Sequence, residues 1–196
     1  MPPPISKPFV ERAADRRWSG QGAARRGAAI ALAAAFFLAC AGAALFVWSG
    51  VYDVSASAPH SNFAAWAIHA TMIRSIRAHA ASIQSPPRFS QAQAIRGLAQ
   101  YQRHCEGCHG APGLARAPWV SGLTPTPPYL IDAAQKWTPA ELRLIVGDGV
   151  KMTAMPAWKF TLSDAELWDL VAFLERFKAM TPRRYAQMRA KLRAGR

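Results

Sequence analysis

The sequence predicts an all-α protein in which one apolar helix and one amphipathic helix precede a small helical domain. Three features support this fold class. Residues 27–49 contain no charged side chain, N-capping patterns open two later segments with helical periodicity, and no segment has the alternating pattern of a strand. A chain of 196 residues accommodates one domain and additional segments.

The net charge of +13 is concentrated towards the two ends of the chain. Residues 1–52 carry +4, residues 53–180 carry +3, and residues 181–196 carry +6 with no acidic residue. A nucleic-acid-binding domain is expected to have its charge on the folded face together with a recognisable motif, and neither is present. We therefore predict no nucleic-acid partner.

The N-terminal part of the chain predicts a tail followed by a membrane anchor. Residues 1–26 are rich in Pro and then in Arg, Ala and Gly, which favours a mostly disordered tail. The run 27–49 has the length of about 20 residues that a transmembrane helix needs. Five arginines precede it, and the next basic residue is Arg74. The positive-inside rule thus predicts a cytoplasmic N-terminus and a periplasmic remainder, on a bacterial cytoplasmic membrane.

Three alternatives to a retained anchor fit this segment less well. A cleaved signal peptide has a candidate cleavage site at Val54-Ser55-Ala56, but its apolar region usually spans only about 7 to 15 residues. A lipoprotein signal would end at Cys40, whereas the apolar run continues past it. A twin-arginine signal at Arg16-Arg17 would lie well upstream of the apolar run.

Residues 50–89 are predicted to be a periplasmic linker that contains an amphipathic helix from about 62 to 83. Apolar residues at helical spacing form one stripe: Trp66, Ile73, Ile76, Ala80 and Ile83. This stripe either packs on the domain that follows, lies on the membrane surface, or docks a partner subunit. His60, His69 and His79 are interpreted as ordinary polar residues.

Residues 90–180 are predicted to form the helical domain. Its first helix runs from Gln91 to about His104 and places Gly97 and Tyr101 on one face. Because a glycine inside a helix costs about 1 kcal/mol relative to alanine, we expect another helix to approach closely at Gly97. The expected partner is a helix opened by the capping box Ser163-Asp164-Ala165-Glu166.

A third helix lies between these two in the chain. It opens with Thr138-Pro139-Ala140-Glu141, which is a capping box with proline at the first helical position. It is expected to stop at Gly147-Asp148-Gly149.

The motif Cys105-Glu106-Gly107-Cys108-His109 is typical of covalent haem attachment. On one helical turn, both thiols can add to haem vinyl groups and the adjacent imidazole can bind the iron. A thioredoxin-type redox pair would need a βαβ surround. A zinc site would need a second ligand pair, and Cys40 is the only other cysteine. We predict one covalently bound haem c.

A sixth iron ligand is expected in the segment that follows the third helix. It contains Met152 and Met155, and a thioether ligand raises the reduction potential of a haem. We favour Met155 because Pro156 would hold the loop extended and Trp158 could cover the haem edge. The alternative is that both methionines fill the core.

Several motifs together resemble a class I c-type cytochrome of the small, bacterial, membrane-anchored kind, over residues 91–178. They are Gly97, Tyr101, the Cys105–His109 motif with Gly110, the Met155-Pro156-Ala157-Trp158 loop and the apolar helix 167–174. The resemblance implies a compact fold with crossing first and last helices. It implies covalent haem attachment at Cys105 and Cys108, with His109 and Met155 as axial ligands.

The resemblance also implies that a proline carbonyl after the motif orients the His109 ring. Pro112 or Pro118 could serve, and the sequence leaves both open. The loop 118–128, with Trp119 and Tyr129, is expected to enclose the haem. Residues 181–196 are read as a basic tail that is solvated, binds an anionic membrane surface, or steers an acidic redox partner.

These features predict a periplasmic mono-haem cytochrome c that carries single electrons between respiratory redox partners. Two axial ligands leave no site for a small-molecule substrate, so no catalytic residue is predicted. One alternative is a fixed cytochrome subunit of a membrane dehydrogenase or oxidase complex. Another is a haem enzyme or gas sensor in which Met155 dissociates.

Overall fold

The computed structural model describes residues 9–86 and 88–194, with side chains from residue 22 onward. This part of the chain is helical and has no β-strand, which confirms the predicted all-α class. The helices are α1 (Phe9–Ser49), α2 (Asn62–Ala80), α3 (Gln91–His104), α4 (Glu106–His109), α5 (Leu130–Ala133), α6 (Pro139–Asp148), α7 (Asp164–Phe177) and α8 (Pro182–Ala194). Short 3-10 helices span Pro118–Gly122, Ala134–Lys136 and Trp158–Phe160.

The chain divides between Val54 and Ser55 into two compact units. The first contains α1, whose part Gly22–Ser49 is the one helix among the described residues that is long and apolar enough to cross a membrane. The side chains of residues 22–49, including that of Cys40, are exposed.

Helix α1 begins earlier than the apolar run. It starts at Phe9, so residues 9–26 are helical where we expected a disordered tail, and residues 1–8 lie outside the described part. The physical reason is local composition. Alanine and arginine are strong helix formers, and no proline interrupts the chain between residues 9 and 49.

Helix α2 packs against α6 in the second unit. Ile76 and Ala80 are buried and Ile73 and Ile83 are partly buried, so most of the predicted stripe faces the domain. Trp66 does not, because its side chain is 66% exposed. The 10-residue α6 is about half as long as the 19-residue α2 and therefore covers only part of it. The helix ends at Ala80, three residues before the predicted end.

The core of the second unit forms where α3 crosses α7. A Cβ added at Gly97 would lie 1.9 Å from the carbonyl oxygen of Asp169 and 2.9 Å from Cβ of Phe173. This confirms the predicted close approach. The Tyr101 ring lies 5.1 Å from the rings of both Phe173 and Phe177. First and last helices of the predicted domain thus meet through a glycine and an aromatic cluster.

Side-chain capping fixes where the domain helices begin. The two predicted capping boxes are present, with Thr138 and Glu141 opening α6 and Ser163 and Glu166 opening α7. A third box, between Ser90 and Gln93, opens α3. Because each box satisfies backbone N–H groups that the helix itself cannot, helices α3 and α6 begin at the predicted residues.

Residues 182–194 form α8 and are not a tail. Tyr185 is 1% exposed and Met188 is 8% exposed, and α8 packs against α3. The prediction of a tail was wrong because the many basic residues make the apolar face of this helix hard to recognise in the sequence. Tyr185, Met188 and Leu192 are spaced by three and four, which places them on one side of a helix. Residues 195–196 lie outside the described part.

Candidate haem-attachment site

The two cysteines and the histidine of the motif lie on one tight turn. Cys105 follows the last residue of α3 as its C-cap and directly precedes α4. Its carbonyl accepts hydrogen bonds from the backbone N–H of Cys108 at 3.1 Å and of His109 at 2.9 Å, and Gly110 N–H donates to the Glu106 carbonyl at 2.8 Å. Both cysteines are free thiols that are partly buried. The spacing thus places two thiols and one imidazole on the same backbone turn.

Thiol chemistry argues against a thioredoxin-type pair. Burial raises the pKa of Cys105 to about 12, with a smaller contribution from Cys108. Reactive cysteines in redox CxxC motifs have lowered pKa values, because the thiolate is the attacking species. Cys105 is therefore held as a protonated thiol.

The His109 ring is oriented by a proline carbonyl. Nδ1 of His109 lies 2.8 Å from the carbonyl oxygen of Pro128. Because a carbonyl can only accept, Nδ1 carries the proton and the Nε2 lone pair is left for a metal. Burial lowers the pKa of His109, against an opposing contribution from the Pro128 bond, so the ring is neutral at pH 7.

Neither proline named from the sequence makes this contact. Pro112 lies in a turn closed by paired backbone hydrogen bonds between Ala111 and Leu114. Pro118 begins a 3-10 helix. The expectation of a proline acceptor is correct, but its position was wrong, because the segment that returns to the ring is farther along the chain. The acceptor is Pro128.

Arg116 holds the segment that carries this carbonyl. Its guanidinium donates to the carbonyl oxygen of Pro127 and lies 4.0 Å from the ring centroid of Tyr129. Pro128 is thus flanked on both sides by groups that Arg116 contacts. No sequence signal predicts this role, since Arg116 belongs to no motif.

Tyr101 fixes the other end of the motif. Its hydroxyl donates to the Gly110 carbonyl at 2.5 Å. Gly110 has φ +65°, and a Cβ there would lie 3.1 Å from the Tyr129 ring. The backbone directly after His109 is therefore held by α3 on one side and covered by the loop on the other.

The loop after α6 favours Met155 over Met152 as a second axial ligand. Gly149 has φ +67°, and a Cβ there would lie 2.7 Å from the Met155 carbonyl oxygen. Met155 N–H donates to the Thr153 hydroxyl at 3.1 Å. Met155 is partly buried and packs, like Cys105, against the hydrophobic core. Met152 is 77% exposed.

Trp158, predicted to cover the haem edge, lies close to the attachment motif. Trp158 is partly buried and its ring lies 4.7 Å from that of His104, the neighbour of Cys105. Trp119 and Tyr129 are 61% and 45% exposed. Large apolar groups left at a surface are typical of a binding site.

The residues present fit a haem. The donor set combines two free thiols on one turn, a neutral imidazole with an available Nε2, and a thioether on a neighbouring loop. Of the apolar side chains near the motif, Tyr129 covers the backbone at Gly110 and is 45% exposed. Thiols at this spacing with an adjacent histidine are the attachment chemistry of c-type haem.

Comparison with known proteins agrees with this site. Residues 92–174 match the family described as cytochrome C oxidase, cbb3-type, subunit III. No curated protein matches the chain. The matched residues are less than half of the chain and include Cys105, Cys108, His109 and Met155. Residues 92–174 therefore form a c-type cytochrome domain, and domains of this class transfer electrons through a bound haem.

Proposed function

We propose that the protein is a membrane-anchored mono-haem cytochrome c that carries single electrons between redox partners on the periplasmic side of a bacterial cytoplasmic membrane. The observation that carries this proposal is the oriented imidazole of His109. Its Nδ1 is committed to Pro128 at 2.8 Å, and two free thiols lie on the same turn.

The chain supplies attachment, ligands and enclosure. Cys105 and Cys108 would hold the haem covalently, and His109 Nε2 and Met155 Sδ would bind its iron. When bound, the haem supplies a one-electron Fe(II)/Fe(III) couple. The thioether of Met155 favours the reduced state, while Trp158 and Tyr129 limit the access of water to the site.

The two methionines can be separated by substitution. Met155→Ala should abolish the weak long-wavelength absorption band of the oxidised protein that reports thioether–iron ligation. It should also lower the reduction potential, because the soft ligand is lost. Met152→Ala is the matched control and should preserve both properties. The reverse pattern would identify Met152 as the ligand.

Carbon monoxide separates an electron carrier from an enzyme or gas sensor. With both axial positions filled by protein ligands, carbon monoxide should leave the absorption spectrum of the reduced native protein unchanged. Met155→Ala opens one position and should make the spectrum respond to the gas. A large response in the native protein would favour the enzyme or sensor class.

Anchoring is supported by the exposed apolar segment Gly22–Ser49 of α1. A helix of 28 residues at about 1.5 Å per residue exceeds the hydrocarbon thickness of about 30 Å. The full chain should stay in the membrane fraction after washing with alkaline carbonate, whereas peripheral attachment would release it. Protease accessibility of the haem domain in spheroplasts tests its periplasmic side.

A fixed subunit of an oxidase complex is the second candidate. The description of the matched family names an oxidase subunit. In addition, Phe63 and Trp66 of α2 are 74% and 66% exposed, and their rings lie 5.8 Å apart. Such an aromatic pair is a suitable assembly surface. Stable copurification with other subunits in mild detergent would support this candidate, and isolation as a single chain would support a shuttle.

A further inference from the structure

The C-terminal helix α8 contacts residues that precede and residues that follow His109 in the sequence. Before His109, the Tyr185 hydroxyl donates to the carboxylate of Glu106 at 3.2 Å. After His109, Pro182 lies against Gly113, where an added Cβ would be 3.1 Å from the proline Cβ. One helix thus contacts both the turn that carries the imidazole and the turn that follows it.

These contacts lie outside the pattern of the matched family. The match ends at residue 174, and α8 begins at Pro182. Glu106 occupies one of the two variable positions between the cysteines, so the attachment chemistry itself does not require a carboxylate there. The link between Glu106 and α8 is therefore an addition to the haem-binding motif.

Glu106 has a second partner on the same helix. Nη1 of Arg189 lies 4.0 Å from the Glu106 oxygen that Tyr185 contacts. The guanidinium also lies 5.9 Å from the Tyr185 ring centroid. The side chains of Glu106 and Arg189 are 20% and 31% exposed, so solvent screens this pair less than it screens a surface pair.

Tyr185 is well suited to hold the carboxylate in place. Its side chain is buried, at 1% exposed, and its ring packs near Phe173 and Phe177 of α7. Burial, followed by the charge of Glu106, raises the pKa of Tyr185. The hydroxyl therefore remains a donor, and the core fixes its position.

We propose that α8 braces the haem-attachment turn through Glu106, with Tyr185 and Arg189 as positioning residues that hold this carboxylate beside the haem and thereby tune its reduction potential. The inference rests on the proposed haem function. A carboxylate held near the iron stabilises the oxidised state more than the reduced state, because the oxidised centre carries one more positive charge.

The first test measures coupling between Tyr185 and Glu106. Tyr185→Phe keeps the ring in the core and removes only the hydroxyl. It should shift the midpoint potential of the haem-loaded full chain, and the same substitution in a Glu106→Gln background should cause a much smaller shift. Equal shifts in the two backgrounds, or no shift in either, would overturn the proposal, since a purely structural tyrosine acts independently of Glu106.

A matched pair of arginines on α8 tests the role of charge. Arg189→Gln removes the cation beside Glu106 and should lower the midpoint potential. Arg193→Gln makes the same charge change at an exposed position, where no acidic group of the described residues pairs with it, and should leave the potential unchanged. A similar shift in both variants would mean that net charge, and not the Glu106 contact, sets the potential.

Hydrogen exchange separates failure of the brace from failure of the haem proposal. The amides of Cys108, His109 and Gly110 bond within the turn, and their exchange can be followed in the purified full chain with or without haem. Tyr185→Phe should accelerate the exchange of these amides about five-fold, which corresponds to the net stabilisation by one hydrogen bond. Arg193→Gln should not. Unchanged exchange in Tyr185→Phe contradicts the brace, whereas a protein that lacks haem contradicts only the proposed function.

Discussion

At the residue scale, the site depends on backbone carbonyls placed by side chains distant in sequence. The Pro128 carbonyl sets the tautomer of His109, and the Gly110 carbonyl is bound by the hydroxyl of Tyr101. Both contacts immobilise the imidazole before any metal binds. A ligand whose second nitrogen is hydrogen-bonded is better oriented and more basic than a free one.

Removal of the Tyr101 hydroxyl should weaken the fold and leave the core packing intact. Tyr101→Phe keeps the ring against Phe173 and Phe177 but leaves the buried Gly110 carbonyl without this donor. We expect a loss of about 1–3 kcal/mol in the free energy of unfolding. Chemical denaturation measures this loss. Tyr129→Phe alters a partly exposed tyrosine and should change stability by less than about 0.5 kcal/mol; equal effects of the two variants would refute the role assigned to the Tyr101 hydroxyl.

At the element scale, the α3–α7 crossing is specified by one position without a side chain. A Cβ at Gly97 would overlap the Asp169 carbonyl oxygen at 1.9 Å, so α3 can approach α7 only with glycine there. The crossing is supported by Arg96, whose Nε and Nη2 donate to the buried Asp169 carboxylate at 2.6 and 2.8 Å. A bidentate pair of this kind adds orientation to the contact.

Gly97→Ala should therefore destabilise the domain although alanine is the better helix former. The substitution gains about 1 kcal/mol of helix propensity but forces the helices apart. We expect a net loss of about 3 kcal/mol in the free energy of unfolding, measured by denaturant titration. The control is Gly122→Ala, where a Cβ meets nothing within 4 Å. A Gly97→Ala protein as stable as this control would contradict the crossing.

The cap of α7 should give the fold a pH-dependent contribution. Hydrogen bonds from the backbone N–H of Ser163 at 2.9 Å and from its hydroxyl at 2.8 Å lower the pKa of Glu166 below its usual value of 4.5. Because the folded pKa is below the unfolded one, this stabilisation is complete above the unfolded pKa and is lost as pH falls through the folded pKa.

Glu166→Gln keeps the geometry of the capping box and removes this titration. The difference in unfolding free energy between the native chain and this variant should be largest at neutral pH. It should shrink as pH is lowered below about 4.5. Denaturant titrations at several pH values measure this difference in unfolding free energy. If the difference does not depend on pH, the Glu166 carboxylate does not cause it.

The sequence predicts helix boundaries well here because the signals are local. The hydroxyls of Ser163 and Thr138 accept hydrogen bonds from N–H groups three residues later. Helix α6 ends at Gly149, which has a positive φ. The contacts of Pro128 and Tyr185 could not be predicted in this way. They join positions 19 and 79 residues apart, and their partners are determined by how the whole domain folds.

At the scale of the whole molecule, the charge of the C-terminal segment belongs to the folded domain. Tyr185 and Met188 bury one face of α8, and the rest of its surface presents exposed cations: Arg183, Arg184, Lys191 and Arg193. The composition of the segment shows that it is basic. Because one face of α8 packs on the domain, these charges are presented on a fixed helix. A rigid basic surface favours encounter with an acidic partner.

Covalent attachment of one haem through Cys105 and Cys108 can be tested by the intact mass of the denatured full chain produced where haem-attachment machinery is present. This mass should exceed that of the polypeptide by one haem. In a Cys105→Ala, Cys108→Ala double variant, this added mass should be lost. A native chain with the mass of its amino acids alone would show that no haem is covalently attached.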